Sequence, residues 1–180
     1  MSDRLEQPAS AASRATLAVG TDDPAARVID ETDHSMVVAF DDVEPWLDEA
    51  YGRPDGPNAV ICAGDRLRSA AAASGGATGA GETTTVTAVP DVSSLGRAAA
   101  EITATLPEDH SDVGLVVSGL DAPLAATSPP AVFRFLHVLI GYLSSADSAS
   151  QLAVVVDDDV SETVLETMEP LFDTVERPEA

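Results

Sequence analysis

The apolar residues of this chain fall into short continuous runs, and few of them alternate with polar residues. Strands that are apolar throughout are covered on both faces, which is typical of parallel sheets. The run TTTVTAV also favours a strand, because its threonines and valines are β-branched. The predicted strands are residues 36–40, 59–64, 83–89, 113–120 and 152–156, with residues 174–178 as a candidate closing strand.

Segments with helical spacing separate these runs. They are residues 65–74, 92–106, 128–146 and 161–173. The strongest is SPPAVFRFLHVLIGYLSSA at residues 128–146, where Ser128 is placed as the N-cap and the prolines fall in the first turn. Because this segment is apolar nearly all round, we expect it to be covered on more than one side, by the domain or by a partner.

Strands alternating with helices predict a three-layer α/β fold with a mostly parallel sheet of about five or six strands. Residues 1–33 are rich in Ala, Ser, Asp and Thr, contain Pro8 and Pro24, and show no sustained period. They are therefore predicted to be a disordered acidic tail. Residues 34–180 are predicted to be a single domain.

The charge of the chain indicates the cellular environment that it suits and excludes some functions. The 180 residues carry 31 acidic and 9 basic residues, for a net charge of −22, and every basic residue is arginine. The acidic excess, the missing lysine and the 4% aromatic content resemble proteins of halophilic archaea. Scattered arginines disfavour nucleic-acid binding, and Schiff-base chemistry is excluded without a lysine. No run resembles a signal peptide or a membrane span, so we expect a cytoplasmic protein with no membrane contact.

The stretch GGATGAGETTT has the spacing of a phosphate-binding loop, with Glu82 where lysine is required. Its predicted flanks run from helix to strand, whereas a P-loop runs from strand to helix. We therefore interpret it as a connector. A fold of the P-loop kind would place its phosphate loop after the first buried core strand, taken as residues 59–64. The loop would then fall at residues 62–66, where the two spaced glycines and the lysine are missing.

Several carboxylates follow predicted strands, at the edge where open α/β sheets bind ligands. They are Asp121 after residues 113–120, and Asp157, Asp158 and Asp159 after residues 152–156. Asp121, Asp157 and Asp158 are the candidate cofactor-binding residues, because carboxylate oxygens suit hard divalent cations. For residues 157–159 the pattern favours a solvated loop whose Asp159 or Ser161 caps the next helix over a cation site. No catalytic residue, metal ligand or cofactor is assigned.

Three single side chains give weaker functional signals than the carboxylates do. Cys62 lies in an apolar run and is expected to be a small core residue. His137 has no second histidine or cysteine at ligand spacing and is expected in the core or at an interface. Ser118 lacks the flanking glycine of a nucleophile elbow.

The second half of the chain carries two motifs, Phe133-Arg134-Phe135-Leu136-His137 and Leu171-Phe172-Asp173. On these motifs it resembles haloarchaeal relatives of the RecA/KaiC-type ATPases. That resemblance implies a RecA-like fold in which the Walker B strand ends at Ser118-Gly119-Leu120, with serine in place of the magnesium-orienting aspartate. The Walker A lysine is missing as well, so the resemblance implies lost ATP hydrolysis.

The sequence thus favours a non-catalytic, RecA-like domain that acts in protein interaction or regulation. We expect a protein partner, a second copy or an intact RecA-like paralogue to bind it. The predicted interaction residues are Phe133, Phe135, Leu136, Leu139 and Tyr142 on the apolar helix. The alternative is a nucleotide-binding or divalent-metal-dependent enzyme that uses Asp121 and residues 157–159.

Overall fold

The structure is a computed structural model of the 180-residue chain. The residues it describes are 14–42, 45, 46, 48, 57–63, 85–89, 91, 93–106, 112–145 and 149–178. Within them, seven strands form one sheet in the order β4-β3-β2-β5-β6-β1-β7, and every neighbouring pair is parallel. The strands are β1 (Arg14–Val19), β2 (His34–Ala39), β3 (Ala59–Ala63), β4 (Thr85–Val89), β5 (Val113–Ser118), β6 (Gln151–Val156) and β7 (Thr174–Glu176).

Five helices are described beside this sheet. They are α1 (Asp23–Glu31), α2 (Leu95–Thr105), α3 (Asp121–Ala126), α4 (Pro129–Ser145) and α5 (Glu162–Met168). A 3-10 turn over Glu169–Leu171 follows α5 and leads into β7. No helix in the described ranges has the length and apolar content needed to cross a membrane.

Alternate residues of the strands enter two separate apolar clusters, one on each face of the sheet. On one face, Leu17, Val38 and Leu115 belong to the cluster that includes buried residues of α2, α4 and α5. On the other face, Ala18 and Val116 belong to the cluster that includes α1. The period-2 geometry of strands divides each apolar run in this way. The predicted three-layer α/β fold with a parallel sheet is confirmed.

The predicted boundary at residue 33 is wrong for residues 14–31. They form β1, which lies between β6 and β7, and α1, whose Ala25, Val28 and Ile29 are buried. Pro24 stands in the first turn of α1, where its missing N–H costs nothing, so it begins a helix here and does not indicate disorder. Residues 1–13 of the predicted tail lie outside the described residues.

The predicted helix at residues 128–146 is confirmed with nearly the same bounds. Helix α4 starts at Pro129, and the carbonyl oxygen of Ser128 accepts from the amides of Ala131 and Val132 at 2.9 and 3.2 Å. The connector GGATGAGET before β4 and the predicted helix at residues 65–74 lie outside the described residues.

Candidate functional site

The carboxyl ends of four adjacent strands bring their following loops together at one edge of the sheet. In order these strands are β2, β5, β6 and β1. They are followed by Asp41, by Gly119 and Asp121, by residues 157–159, and by Gly20. This edge is where ligands of parallel α/β sheets bind.

Three of these carboxylates form a cluster. One carboxylate oxygen each from Asp121, Asp157 and Asp159 lies within 4.8 Å of the other two. Asp121 is partly buried as the first residue of α3, and the other two are exposed. We call these three residues the acidic cluster. Its oxygens are the ligand type that Mg²⁺ and Ca²⁺ prefer.

Asp41, which was not predicted as a site residue, lies beside this cluster. Its side chain occupies the space next to Gly119, where an added Cβ would lie 2.2 Å from the Asp41 Oδ1 atom. Gly119 has φ +74°, a conformation that favours glycine. The signal in the sequence was the position of Asp41 directly after residues 36–40, because the carboxyl ends of parallel strands meet at one edge.

Negative charge accumulates at this edge. Burial raises the pKa of the Asp41 carboxyl, and the charge of Asp157 raises it further. Burial also raises the pKa of Asp121, with Asp157 and then Asp159 adding to the rise. In the described part of the chain, no arginine or histidine forms an ion pair with these carboxylates. The edge therefore favours a proton or a cation over a further anion.

Asp158, a candidate cofactor-binding residue in the sequence, lies outside the acidic cluster. Its Cβ would lie 3.1 Å from a Cβ added to Gly20, and Pro178 would lie 3.8 Å away. Of the residues named for the enzyme alternative, the structure thus brings together Asp121, Asp157 and Asp159 and leaves Asp158 apart.

Among the described residues, the turn between β1 and α1 is the strand-to-helix turn nearest the start of the chain. It consists of Gly20, Thr21 and Asp22, and Asp23 opens the helix. This corrects the prediction that the first buried strand is β3 and that a phosphate loop would follow at residues 62–66. The correction follows from the position of β1 inside the sheet, because β1 pairs with β6 and β7 from distant parts of the chain.

Helix α4 is mostly a core helix. Of the predicted interaction residues, Phe135, Leu136 and Leu139 are buried in the core beneath it, and Tyr142 is partly buried against that core. The Phe135 ring meets Phe40 edge-on with centroids 5.8 Å apart. Those three side chains are therefore not open to a partner, which corrects the prediction for them. Phe133 is only partly buried.

His137 was expected in the core or at an interface; it is exposed, so the core placement is wrong and the interface placement stays a prediction. Its ring stacks on Phe133, with centroids 6.4 Å apart and an interplanar angle of 4°. Ser118, the last residue of β5, is buried in the sheet. Cys62 is buried as predicted, and burial raises the pKa of its thiol to about 11, so the thiolate is disfavoured.

The motif Leu171-Phe172-Asp173 has a structural role. The Asp173 carboxylate accepts from the amide of Ala15 at 2.8 Å, and the amide of Asp173 donates to the carbonyl of Ala15 at 2.9 Å. Leu171 and Phe172 pack against the core. The motif therefore fixes the start of β1 to the chain that enters β7.

Residues 2–176 match a family of unknown function, DUF7504. The chain belongs to this family. No curated protein is similar enough to the chain to count as a relative. A solved protein of Pyrococcus horikoshii OT3 is similar in structure, with a TM-score of 0.53 and 13% identity over 92% of this chain and 81% of that one. At this identity the similarity concerns the fold, and it agrees with the parallel α/β architecture described above.

Proposed function

We propose that this DUF7504 chain is a non-catalytic, RecA-like domain that acts through protein contacts, in a regulatory role, in the cytoplasm of a halophilic archaeon. The single observation that carries the proposal is the turn between β1 and α1. The turn follows an inner strand and precedes a helix. In the proposed RecA-like fold it corresponds to the loop with which a P-loop ATPase binds phosphate.

A P-loop needs eight residues, Gly-x-x-x-x-Gly-Lys-Ser/Thr, so that backbone amides and the lysine surround the phosphates. The turn here has only Gly20, Thr21 and Asp22 between the strand and the helix. Asp158 and Pro178 lie close above Gly20, which leaves little room for a phosphate group. Asp22 and Asp23 add negative charge at the helix end that would have to attract the phosphate.

The rest of the carboxyl edge also opposes an anionic nucleotide. The acidic cluster and Asp41 would each repel phosphate oxygens, and the chain has no lysine to offset them. Loss of nucleotide chemistry leaves the surface of the domain as its means of action. The charge of −22 fits a salt-rich cytoplasm, where screening reduces self-repulsion.

A titration with Mg-ATP tests the proposal. We expect calorimetry of the purified chain in about 3 M KCl, a salt range that shortens the screening length to a few Å, to show no saturable heat. Asp121→Ala should give the same trace. Saturable binding by the native chain that is lost in Asp121→Ala would contradict the proposal and favour the enzyme alternative.

The acidic cluster supports a second candidate function, a divalent-metal-dependent activity. Three carboxylates with no counter-ion among the described residues are a donor set for Mg²⁺, Mn²⁺ or Ca²⁺. Asp121, Asp157 and Asp159 would hold the ion, which would supply Lewis-acid chemistry at the carboxyl edge.

Adjacent aspartates give a matched test of this candidate. Asp157→Asn removes a cluster residue, whereas Asp158→Asn removes the same charge one residue outside the cluster. If the candidate is right, MnCl₂ raises the unfolding temperature of the native chain and of Asp158→Asn, and the rise is lost in Asp157→Asn. Stabilisation of about 2.7 kcal/mol corresponds to an ion at 100 times its dissociation constant. Equal responses of the two variants would rule the candidate out.

A further inference from the structure

The outward side of α4 presents an exposed stripe that the core does not use. We call it the α4 stripe; its residues are Pro130, Arg134, His137, Val138, Gly141 and Ser145. Apart from the adjacent His137 and Val138, they recur at intervals of three and four residues, so they occupy one side of the helix. Val138 keeps 49% of its surface exposed and is one of two exposed large hydrophobic residues in the described part of the chain.

Charge distinguishes this stripe from the other helices. The 17 residues of α4 include no aspartate or glutamate, and Arg134 is their one formal charge. By contrast, α1 has Asp23, Asp30 and Glu31, and α5 has Glu162 and Glu166. In a chain of net charge −22, the α4 stripe is thus an exposed helix face that itself carries no carboxylate to repel another acidic molecule.

Gly141 leaves open space on the stripe in which an external contact fits. A glycine inside a helix costs about 1 kcal/mol relative to alanine. A Cβ added at Gly141 would meet nothing within 4 Å, so packing inside the chain does not require glycine there. A second backbone approaching from outside would require it, because only glycine leaves the helix surface open at that point.

We infer that the α4 stripe is the contact surface for a second copy of this chain, with the two α4 helices antiparallel across a two-fold axis. This inference rests on the proposed function, in which the domain acts through protein contacts. An axis between Val138 and Gly141 places each valine over the open backbone at Gly141 of the other copy. An isologous contact of this kind uses the same stripe twice.

The charges permit this arrangement. Each copy carries −22, so contacts through the acidic faces bring carboxylates together, whereas the α4 stripe meets itself with none. The two Arg134 residues are offset by about 11 residues, or about 16 Å along the helices. That separation exceeds the screening length of about 10 Å at 0.1 M salt, and molar salt shortens that length to about 3 Å.

Two glutamate substitutions test the surface. Val138→Glu puts a carboxylate on the stripe, and Ala100→Glu adds the same charge to an exposed position of α2. By sedimentation equilibrium in about 3 M KCl, we expect a dimer for the native chain and for Ala100→Glu. Val138→Glu should raise the dimer dissociation constant at least about tenfold, because each copy adds a charge to one contact.

Two alanine substitutions separate the contact from fold stability. Gly141→Ala should raise the unfolding temperature of the monomer, since alanine favours a helix, and yet weaken the dimer, since its methyl group fills the contact. Gly96→Ala, at an exposed α2 glycine that also has nothing within 4 Å of an added Cβ, should leave the dimer unchanged. Circular dichroism melting and sedimentation together report the two effects.

The outcomes that overturn the inference are distinct from failure of the proposed function. A native chain that stays monomeric up to millimolar concentration overturns it, as does equal dimerisation of Val138→Glu and Ala100→Glu. Binding of a different protein at the stripe in place of a second copy overturns it too. The proposed function fails on a different result, saturable binding of Mg-ATP by the native chain that is lost in Asp121→Ala.

Discussion

Asp41 combines a carboxylate with a setting that disfavours its charge. Its side chain fills the space beside Gly119, and Asp157 adds a negative potential. A carboxyl group whose pKa is raised in the folded protein binds its proton more tightly there than in the unfolded chain. Ionisation of Asp41 therefore lowers the free energy of unfolding as the pH rises above the ordinary value of 3.8.

Asp41→Asn should stabilise the protein at neutral pH. The amide has nearly the same size and no charge, so we expect a gain of about 0.5 kcal/mol, limited by solvent screening at the loop. The gain should disappear below the ordinary pKa of 3.8, where the carboxyl is protonated in both states. Chemical denaturation at pH 7 and at pH 3 measures the difference.

Asp158→Asn serves as the control, because this exposed residue lies outside the acidic cluster. It should change the free energy of unfolding less than Asp41→Asn at neutral pH. A gain for Asp41→Asn that persists unchanged at low pH would show that its origin is not the carboxylate charge.

At the scale of elements, α1 and β5 approach each other unusually closely at Gly114. A Cβ added there would lie 2.3 Å from Thr32 Oγ1, 2.7 Å from Val28 Cγ1 and 3.0 Å from the Val28 carbonyl oxygen. The Thr32 hydroxyl also donates to the Val28 carbonyl at 2.7 Å. Glycine is therefore needed for α1 to cover the second face of the sheet.

Gly114→Ala should destabilise the protein by about 1–3 kcal/mol, the usual cost of overpacking. The atom nearest to the added Cβ is the Thr32 hydroxyl oxygen. The double variant Gly114→Ala with Thr32→Ala should therefore lose less free energy of unfolding than the sum of the two single variants. Urea denaturation of the four proteins gives the coupling. Strict additivity would mean that α1 moves away from β5 as a unit.

The strands also show how much of the fold the pattern of apolar residues predicts. The predicted strands at residues 36–40, 59–64, 113–120 and 152–156 are all present in the structure. Their valines, isoleucine and leucines are buried, as continuous apolar runs predict for strands that are covered on both faces. β1 was missed because ATLAV is short and follows an Ala- and Ser-rich segment. Its sheet partners lie more than 130 residues away in the sequence, and local pattern does not reveal such pairing.

At the scale of the whole molecule, charge dominates. With 31 acidic residues against 9 arginines, the compact state brings like charges close together. Three ion pairs among the described residues join exposed arginines to glutamates: Arg27 with Glu176, and Arg177 with Glu162 and Glu169. Surface pairs of this kind each contribute about 0–1 kcal/mol and do not offset the excess.

The unfolding temperature should therefore rise steeply with KCl. Most of the increase should fall between about 0.1 and 1 M, where the screening length shortens from about 10 to about 3 Å, and less should follow up to about 3 M. Calorimetry at constant pH measures this. An increase that is linear up to about 3 M would assign the effect to stronger burial of apolar surface by salt and not to screening.

The sequence by itself determined the fold class, the burial of four strands and the extreme surface charge, because hydrophobic period and composition are local properties. Tertiary structure alone decided that residues 14–31 belong to the sheet, that Asp41 faces Gly119, and that Asp159 joins Asp121 and Asp157 while Asp158 does not. It also decided which side of α4 is core and which is exposed. These features depend on contacts between residues far apart in the chain. Such contacts produce no hydrophobic period in the sequence, so the local pattern does not predict them.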